Sequence, residues 1–361
     1  MKSSLNPAQD RSSRSRLGRL VLLGFLGAVF LIVALPLTGY LLVGETAAQA
    51  QQGTTNPLSE YWRGAREGTQ GYTAVTAPQA NVLITDSGQN WRQIRNGPLA
   101  TYGAWLMLLV LVVLAALFLV RGRIDIDGGR KGLTVERWQL SDRVLHWFTA
   151  VLFILLGITG LSLLYGRAVL MPVMGPEAFA AYAQGAIYVH NYLGLFFGIG
   201  LLLMVVKWIR VNIPKGHDLG WFLSGGGMLK GKHPHAGFVN AGEKLLFWTL
   251  AFVGGAIVVT GVILLFPVLG QSREVMQISL LIHAAASILV ISFIFGHIYL
   301  ATVAMKGSME GMVGGRVDVN WARQHHDLWM KELEEKGVKP QPAAEAAPAP
   351  KPAEEPRPAA S

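Results

Sequence analysis

Five apolar runs, near residues 101–120, 144–165, 187–206, 245–266 and 280–305, constrain this chain more than any other feature. Each approaches the ~20 residues that an α-helix needs to cross a bilayer. A backbone in lipid must satisfy its own hydrogen bonds, which helices do within a single segment. Composition agrees: 52% of residues are hydrophobic and 15% charged, against roughly 25% charged in a soluble domain. The expected fold is an all-α integral membrane protein.

The basic residues orient these spans. Arg121, Arg123, Arg130, Lys131, Arg137 and Arg143 lie between the first and second runs. Lys207, Arg210, Lys215, Lys230, Lys232 and Lys244 lie between the third and fourth, and the opposite loops hold only Arg167 and Arg273. Basic loops stay in the cytoplasm, so the C-terminus is expected there. The formal net charge of +9 is then positive-inside charge, not a nucleic-acid surface.

Residues 1–50 read as a signal peptide. Arg11, Arg14, Arg16 and Arg19 precede an apolar run from Leu20 to Leu35, and Ala48-Gln49-Ala50 is an A-x-A cleavage pattern. Leu20–Val43 is also long enough to remain as an anchor helix, but Pro36, Gly39 and the cleavage pattern favour removal after Ala50. Its loss would leave the mature N-terminus outside, in agreement with the charge argument. Residues 51–98 are polar, with Trp62 and Trp91, and read as an irregular periplasmic segment before a first transmembrane helix over 99–122. Residues 326–361 read as a cytoplasmic tail, disordered from about 338, where Pro, Ala and Glu dominate. No internal repeat is evident.

The chemistry is narrowed by what is missing. There is no cysteine, which excludes disulfides, thiolate zinc, an iron–sulfur cluster held by this chain and a thioether-attached haem. Four of the nine histidines lie in or at the ends of apolar runs: His146, His190, His283 and His297. Ionisable groups at membrane depth mark functional sites by default. A proton pathway would intersperse carboxylates, and the apolar cores of the last four runs contain none.

Depth pairs these histidines. His283 and His297 share one helix, and their fourteen-residue separation amounts to about 21 Å of rise, returning to within about 40° of the same face. His146 enters its span from the cytoplasmic side and so matches His297; His190 enters from the exported side and matches His283. Two facing imidazoles suit bis-histidine ligation of a b-type haem, which needs no cysteine. Small residues nearby (Gly157, Gly160, Gly194, Gly198, Gly254, Gly255 and Ala284 to Ala286) would let flat macrocycles approach, or serve ordinary helix packing. Zinc is excluded at His283 and His297, because one ion cannot span ~21 Å. His217, His233, His235, His325 and His326 read as solvated or phosphate-facing.

Several runs resemble one family. Arg143-Val-Leu-His146-Trp147 with Gly157-Ile-Thr-Gly160, His190-Asn191-Tyr192-Leu193-Gly194, Asn240-Ala-Gly242-Glu-Lys244 and Gly296-His297-Ile-Tyr299 resemble the formate dehydrogenase gamma subunit (cytochrome b556). The resemblance covers roughly 134–325, and its histidine segments are shared with nickel–iron hydrogenase cytochrome b subunits. It implies a four-helix dihaem cytochrome b bundle with one extra N-terminal transmembrane helix, in a bacterial inner membrane. It also implies two b haems, ligated by His146 with His297 and by His190 with His283, and a quinone held by Asn240 and Gly242. The implied partners are an iron–sulfur beta subunit and a molybdenum or tungsten alpha subunit that oxidises formate. This chain would then carry electrons and reduce quinone, with no formate-oxidising site of its own. A hydrogenase or thiosulfate-type reductase cytochrome b is the alternative.

Overall fold

The computed structural model describes residues 86–228 and 233–343. The leader, residues 51–85, Lys230, Lys232 and the tail beyond 343 lie outside the described residues. Five helices are long and apolar enough to cross a membrane: α1 (Gly88–Arg121), α2 (Leu140–Val169), α3 (Pro176–Trp208), α4 (Ala241–Leu265) and α5 (Arg273–Ala304). Their outer faces carry large apolar side chains in the open, such as Val120, Leu202 and Phe252. Water would oppose that exposure and lipid does not. The protein is an all-α integral membrane protein.

Close packing of small residues joins the spans. Ala100, Gly103, Ala104 and Met107 form a stripe at helical spacing on α1, which packs on Ile288 and Ile291 of α5 and on Tyr165 of α2. The Tyr165 hydroxyl donates to the Ala100 carbonyl at 3.0 Å. A Cβ at Gly103 would sit 2.5 Å from Ile288 Cδ1, so this approach depends on the absent side chain. On the other side, Leu152 of α2 packs with Phe197 and Leu201 of α3. Gly198 of α3 lets Val258 of α4 approach to 2.9 Å from where a Cβ would stand.

Three spans contain a π turn. The one in α1, Arg95–Leu99, contains Pro98, which has no N–H to donate. The helix continues through it back to Asp86, so residues 86–98, expected to be irregular, are helical. The π turn in α4 covers Leu250–Gly254, and that in α5 covers Tyr299–Ala304, beginning two residues after His297. Such bulges rotate the side chains of the turns beyond them relative to those before.

Among the described residues, one end of the bundle is closed by connecting loops and the other carries a small folded cap. In the cap, β1 (Leu133–Glu136) pairs antiparallel with β2 (Arg316–Asp318) and with β3 (Gln341–Pro342). Short helices Val319–His325 and Asp327–Glu335 come next and bury Trp321, Ala322, Trp329 and Met330 against Ile126, Val135 and Val317. The segment read as a tail from 326 is therefore partly cap core, and order extends beyond 338. The Val338 amide donates to the Leu333 carbonyl at 2.9 Å, and Ala343 donates to Gly132 at 2.8 Å. The cap also ties to α2: Arg143 Nη1 donates to the Val313 carbonyl at 2.6 Å, and Trp147 Nε1 to that of Met312 at 3.0 Å.

Candidate functional site: two histidine pairs in the bundle

The helices bring the four membrane histidines together as two pairs. His146 of α2 faces His297 of α5 near the cap, with ring centres 6.2 Å apart. His190 of α3 faces His283 of α5 toward the loop end, with ring centres 6.1 Å apart. An imidazole nitrogen lies about 2 Å from a metal it ligates. Two such bonds and the half-width of each ring place the ring centres about 6 Å apart. Both pairs therefore fit one iron between facing imidazoles. Among the described residues no cluster of three or more His, Cys, Asp or Glu side chains could hold a bare metal ion.

At the loop-end pair the ring orientations are imposed from outside. Thr159 of α2 gives its hydroxyl proton to the Leu155 carbonyl at 2.9 Å, so its oxygen accepts from His190 Nδ1, at 2.9 Å. Thr260 of α4 likewise donates to Ala256 at 2.6 Å and accepts from His283 Nδ1 at 3.2 Å. His283 Nδ1 also reaches the Ile257 carbonyl at 3.0 Å. A carbonyl cannot donate, so the proton is on Nδ1 and the Nε2 lone pair is free to bind metal. The residue after each threonine is glycine. A Cβ at Gly160 would lie 3.2 Å from His190 Cε1, and one at Gly261 equally 3.2 Å from His283 Cε1. The unit Thr-Gly is thus used twice, once on α2 and once on α4. Its sequence signal is a pair of short runs, Ile-Thr-Gly, which the family resemblance includes, and Val-Thr-Gly, which sequence reasoning passed over.

Among the described residues the cap-end pair has no such braces, and His146 Nδ1 is buried without a hydrogen-bonding partner. Its ring packs edge-on against Trp147, with centres 5.3 Å apart.

Asn240 and Gly242 stand at the start of α4, at the cap end. Asn240 caps the helix: its Oδ1 accepts from the Glu243 amide at 2.9 Å, and Glu243 accepts from the Asn240 amide at 2.8 Å. That reciprocal bonding is the capping box; among the described residues the Asn240 Nδ2 protons meet no acceptor. At Gly242 the close approach is made by Trp221, whose Cη2 would be 2.9 Å from an added Cβ. Gly226, at φ +64°, flanks the same indole, and a Cβ added there would lie 2.6 Å from Trp221 Cη2.

Ion pairs missed in the sequence hold this loop. Lys244, buried, donates to both Asp218 oxygens at 2.8 Å. Burial would raise the Asp218 carboxyl, but the bonds from Lys244 and the Lys215 amide outweigh it and hold the group below its ordinary value. Glu243 accepts from Arg137 Nη2 at 3.1 Å, and the Arg137 guanidinium lies 5.1–5.8 Å from the ring centres of Trp138, Phe238, Trp321 and Trp329. A cation among four aromatic faces is held by their quadrupoles.

Of the other histidines, His233 and His235 are exposed, as expected, but ion-paired, whereas His326 is not a solvated group. His326 is 1% exposed, and its Nδ1 donates to the Gly237 carbonyl at 2.8 Å. His235 pairs with Asp327 at 2.5 Å and His233 with Asp127 at 2.8 Å. Short-range sequence reading misses these partners because they lie roughly a hundred residues away.

Residues 137–315 match the prokaryotic cytochrome b561 family. The formate dehydrogenase, nitrate-inducible, cytochrome b556(Fdn) subunit of Escherichia coli (strain K12) is 34% identical over 214 residues, covering 58% of this chain and 96% of that protein. The formate dehydrogenase cytochrome b556 subunit of Haemophilus influenzae is 30% identical, over 55% of this chain and 83% of its own length. The E. coli cytochrome b556(fdo) subunit is 29% identical, over 55% and 93%. With its paired histidines set among membrane helices, this chain belongs to the prokaryotic cytochrome b561 family, as a relative of the formate dehydrogenase cytochrome b556 subunits.

Proposed function

We propose that the chain carries electrons across the inner membrane, from an exported iron–sulfur subunit to a quinone at the cap end. A molybdenum or tungsten subunit that oxidises formate would supply them, and two b haems would relay them. The observation that carries this reading is the pair of imidazole pairs at 6.1 and 6.2 Å, offset along one helix. Bound there, haem iron supplies one-electron chemistry. His190 and His283 would hold one haem near the loop end, and His146 and His297 the other near the cap.

The chain's own residues define the quinone end. The cap end collects the basic loops, so it faces the cytoplasm under the positive-inside rule, and both chain ends and the donor side follow. Asn240 Nδ2 donates to a quinone carbonyl while its Oδ1 stays in the helix cap. Gly242, lacking a Cβ, lets the Trp221 indole come close to the backbone beside it. Quinone reduction consumes two electrons and two protons; protons taken at the cap while electrons arrive from the loop end would build membrane potential.

Membranes containing the complex provide the test. Formate should reduce the b-type absorption bands, and added quinone should reoxidise them. Replacing Asn240 by Ala should cost about 1 kcal/mol of helix capping and slow quinone reduction, with both haems retained. Haem loss in that variant would overturn the quinone assignment. Bands that hydrogen or thiosulfate couples move, and formate does not, would overturn the donor.

A further inference from the structure

We infer that Thr159 and Thr260 are positioning residues that lower the redox potential of the loop-end haem. The inference rests on the haem-bearing reading above and goes beyond it, because ligand identity does not fix potential.

The hydroxyl protons fix the direction of these bonds. Each threonine spends its proton on a main-chain carbonyl four residues back, Leu155 or Ala256. Each oxygen can then only accept, and it accepts from a histidine Nδ1 at 2.9 or 3.2 Å. The carbonyl three residues before each threonine also faces that nitrogen: Leu156 for His190 and Ile257 for His283. An imidazole whose N–H is drawn toward acceptors is more electron-rich at its other nitrogen. Such a ligand stabilises ferric over ferrous iron and lowers the potential. Thr159 and Thr260 are both buried, so water does not substitute for their oxygens. The glycine after each threonine leaves room for the ring to sit at that distance. Use of the same unit on two different helices makes the arrangement more than a packing accident.

At the cap-end pair the His146 Nδ1 atom has no acceptor among the described residues, so the Thr-Gly brace belongs to the loop-end pair.

The test is a spectroelectrochemical titration of the full complex in membranes, with low-temperature EPR of the ferric haems. Thr159→Val, Thr260→Val and the double variant remove the acceptor oxygens at nearly constant volume. Thr159→Ser and Thr260→Ser keep them. His283→Ala, which retains only the cap-end haem, identifies the bands. The double Val variant should raise the loop-end midpoint by about tenfold in the reduced-to-oxidised ratio, about 59 mV for one electron. Each single variant should shift it by less. The Ser variants should restore the wild-type value, and the cap-end midpoint should not move. The ferric EPR signal of the loop-end haem should shift with the midpoint. Two retained haems with unmoved potentials would overturn the inference. So would Ser variants that behave like Val, since that would assign the effect to the methyl group. A wild-type complex without two haems would instead overturn the underlying reading.

Discussion

The two histidine pairs are alike in spacing and opposite in how they are supported. At the loop end, the rings themselves are fastened: a threonine accepts from each Nδ1, and a glycine makes room beside each ring. At the cap end, the rings are left alone and the helix that carries one of them is fastened, through Arg143 and Trp147, to the Ser308–Gly314 helix. The contrast teaches where each site draws its rigidity. The loop-end pair sits among apolar spans, where only intrahelical carbonyls and hydroxyls are at hand. The cap-end pair borrows order from a subdomain with ion pairs and aromatic packing.

The sharpest way to separate the two is to break the cap end. Lys244→Met would leave the Asp218 carboxylate buried without its cation, a loss of about 3–5 kcal/mol. Thermal melting followed by haem absorbance should show the cap-end haem released first. Replacing both partners by apolar residues should be much milder. Simultaneous loss of both haems would mean that the two ends are not supported independently.

A smaller and opposite effect is expected from Gly261→Ala. The new Cβ would press on His283 Cε1 from 3.2 Å, and the ring cannot retreat without giving up Thr260 and the Ile257 carbonyl. Overpacking of this kind costs about 1–3 kcal/mol. Haem retention under mild denaturant should fall at the loop end and stay unchanged at the cap.

The smallest effect is one of pH, confined to the cap. Burial first, then the nearby Arg137 guanidinium, holds His326 well below the ordinary imidazole value. Burial with the neighbouring His233 pushes His325 down to about 4. Both fold as neutral rings, so protonation favours the opened cap. The folded values lie below the unfolded one, so cap stability is full above about pH 6.5 and declines as pH falls toward 4. Protection of the amides around Trp321 and Trp329, relative to the intrinsic exchange rate at each pH, should fall over that window, and His326→Gln should flatten the profile. An equal loss of protection at the loop end would contradict it.

Much of this was legible in the sequence because the bilayer leaves few options. Apolar runs longer than a soluble helix needs become spans, and the fourteen-residue interval from His283 to His297 places two imidazoles on one face at two depths. The family resemblance through His146, His190, Asn240 and Gly242 came from short local runs, and the family match bears out that resemblance. The supporting features were not legible, for different reasons. Thr159 and Thr260 look like ordinary small residues in a packed span, and their role depends on which histidine a neighbouring helix delivers. The cap pairs Thr134 with Asp318, a contact that no local period announces. Trp329 and Met330 sit in a charged stretch, where their burial depends on strands formed far away in sequence. His326 read as solvated because its partner carbonyl, at Gly237, lies in another loop.

The central claim is that each pair holds one haem. The direct measurement is a reduced-minus-oxidised visible spectrum of the purified protein, with haem counted per polypeptide, for the wild type and for His283→Ala and His297→Ala. Two b haems in the wild type and one in each variant, lost from the loop end in the first and from the cap end in the second, is the predicted result. No haem in the wild type, or an undiminished count in either variant, would contradict it.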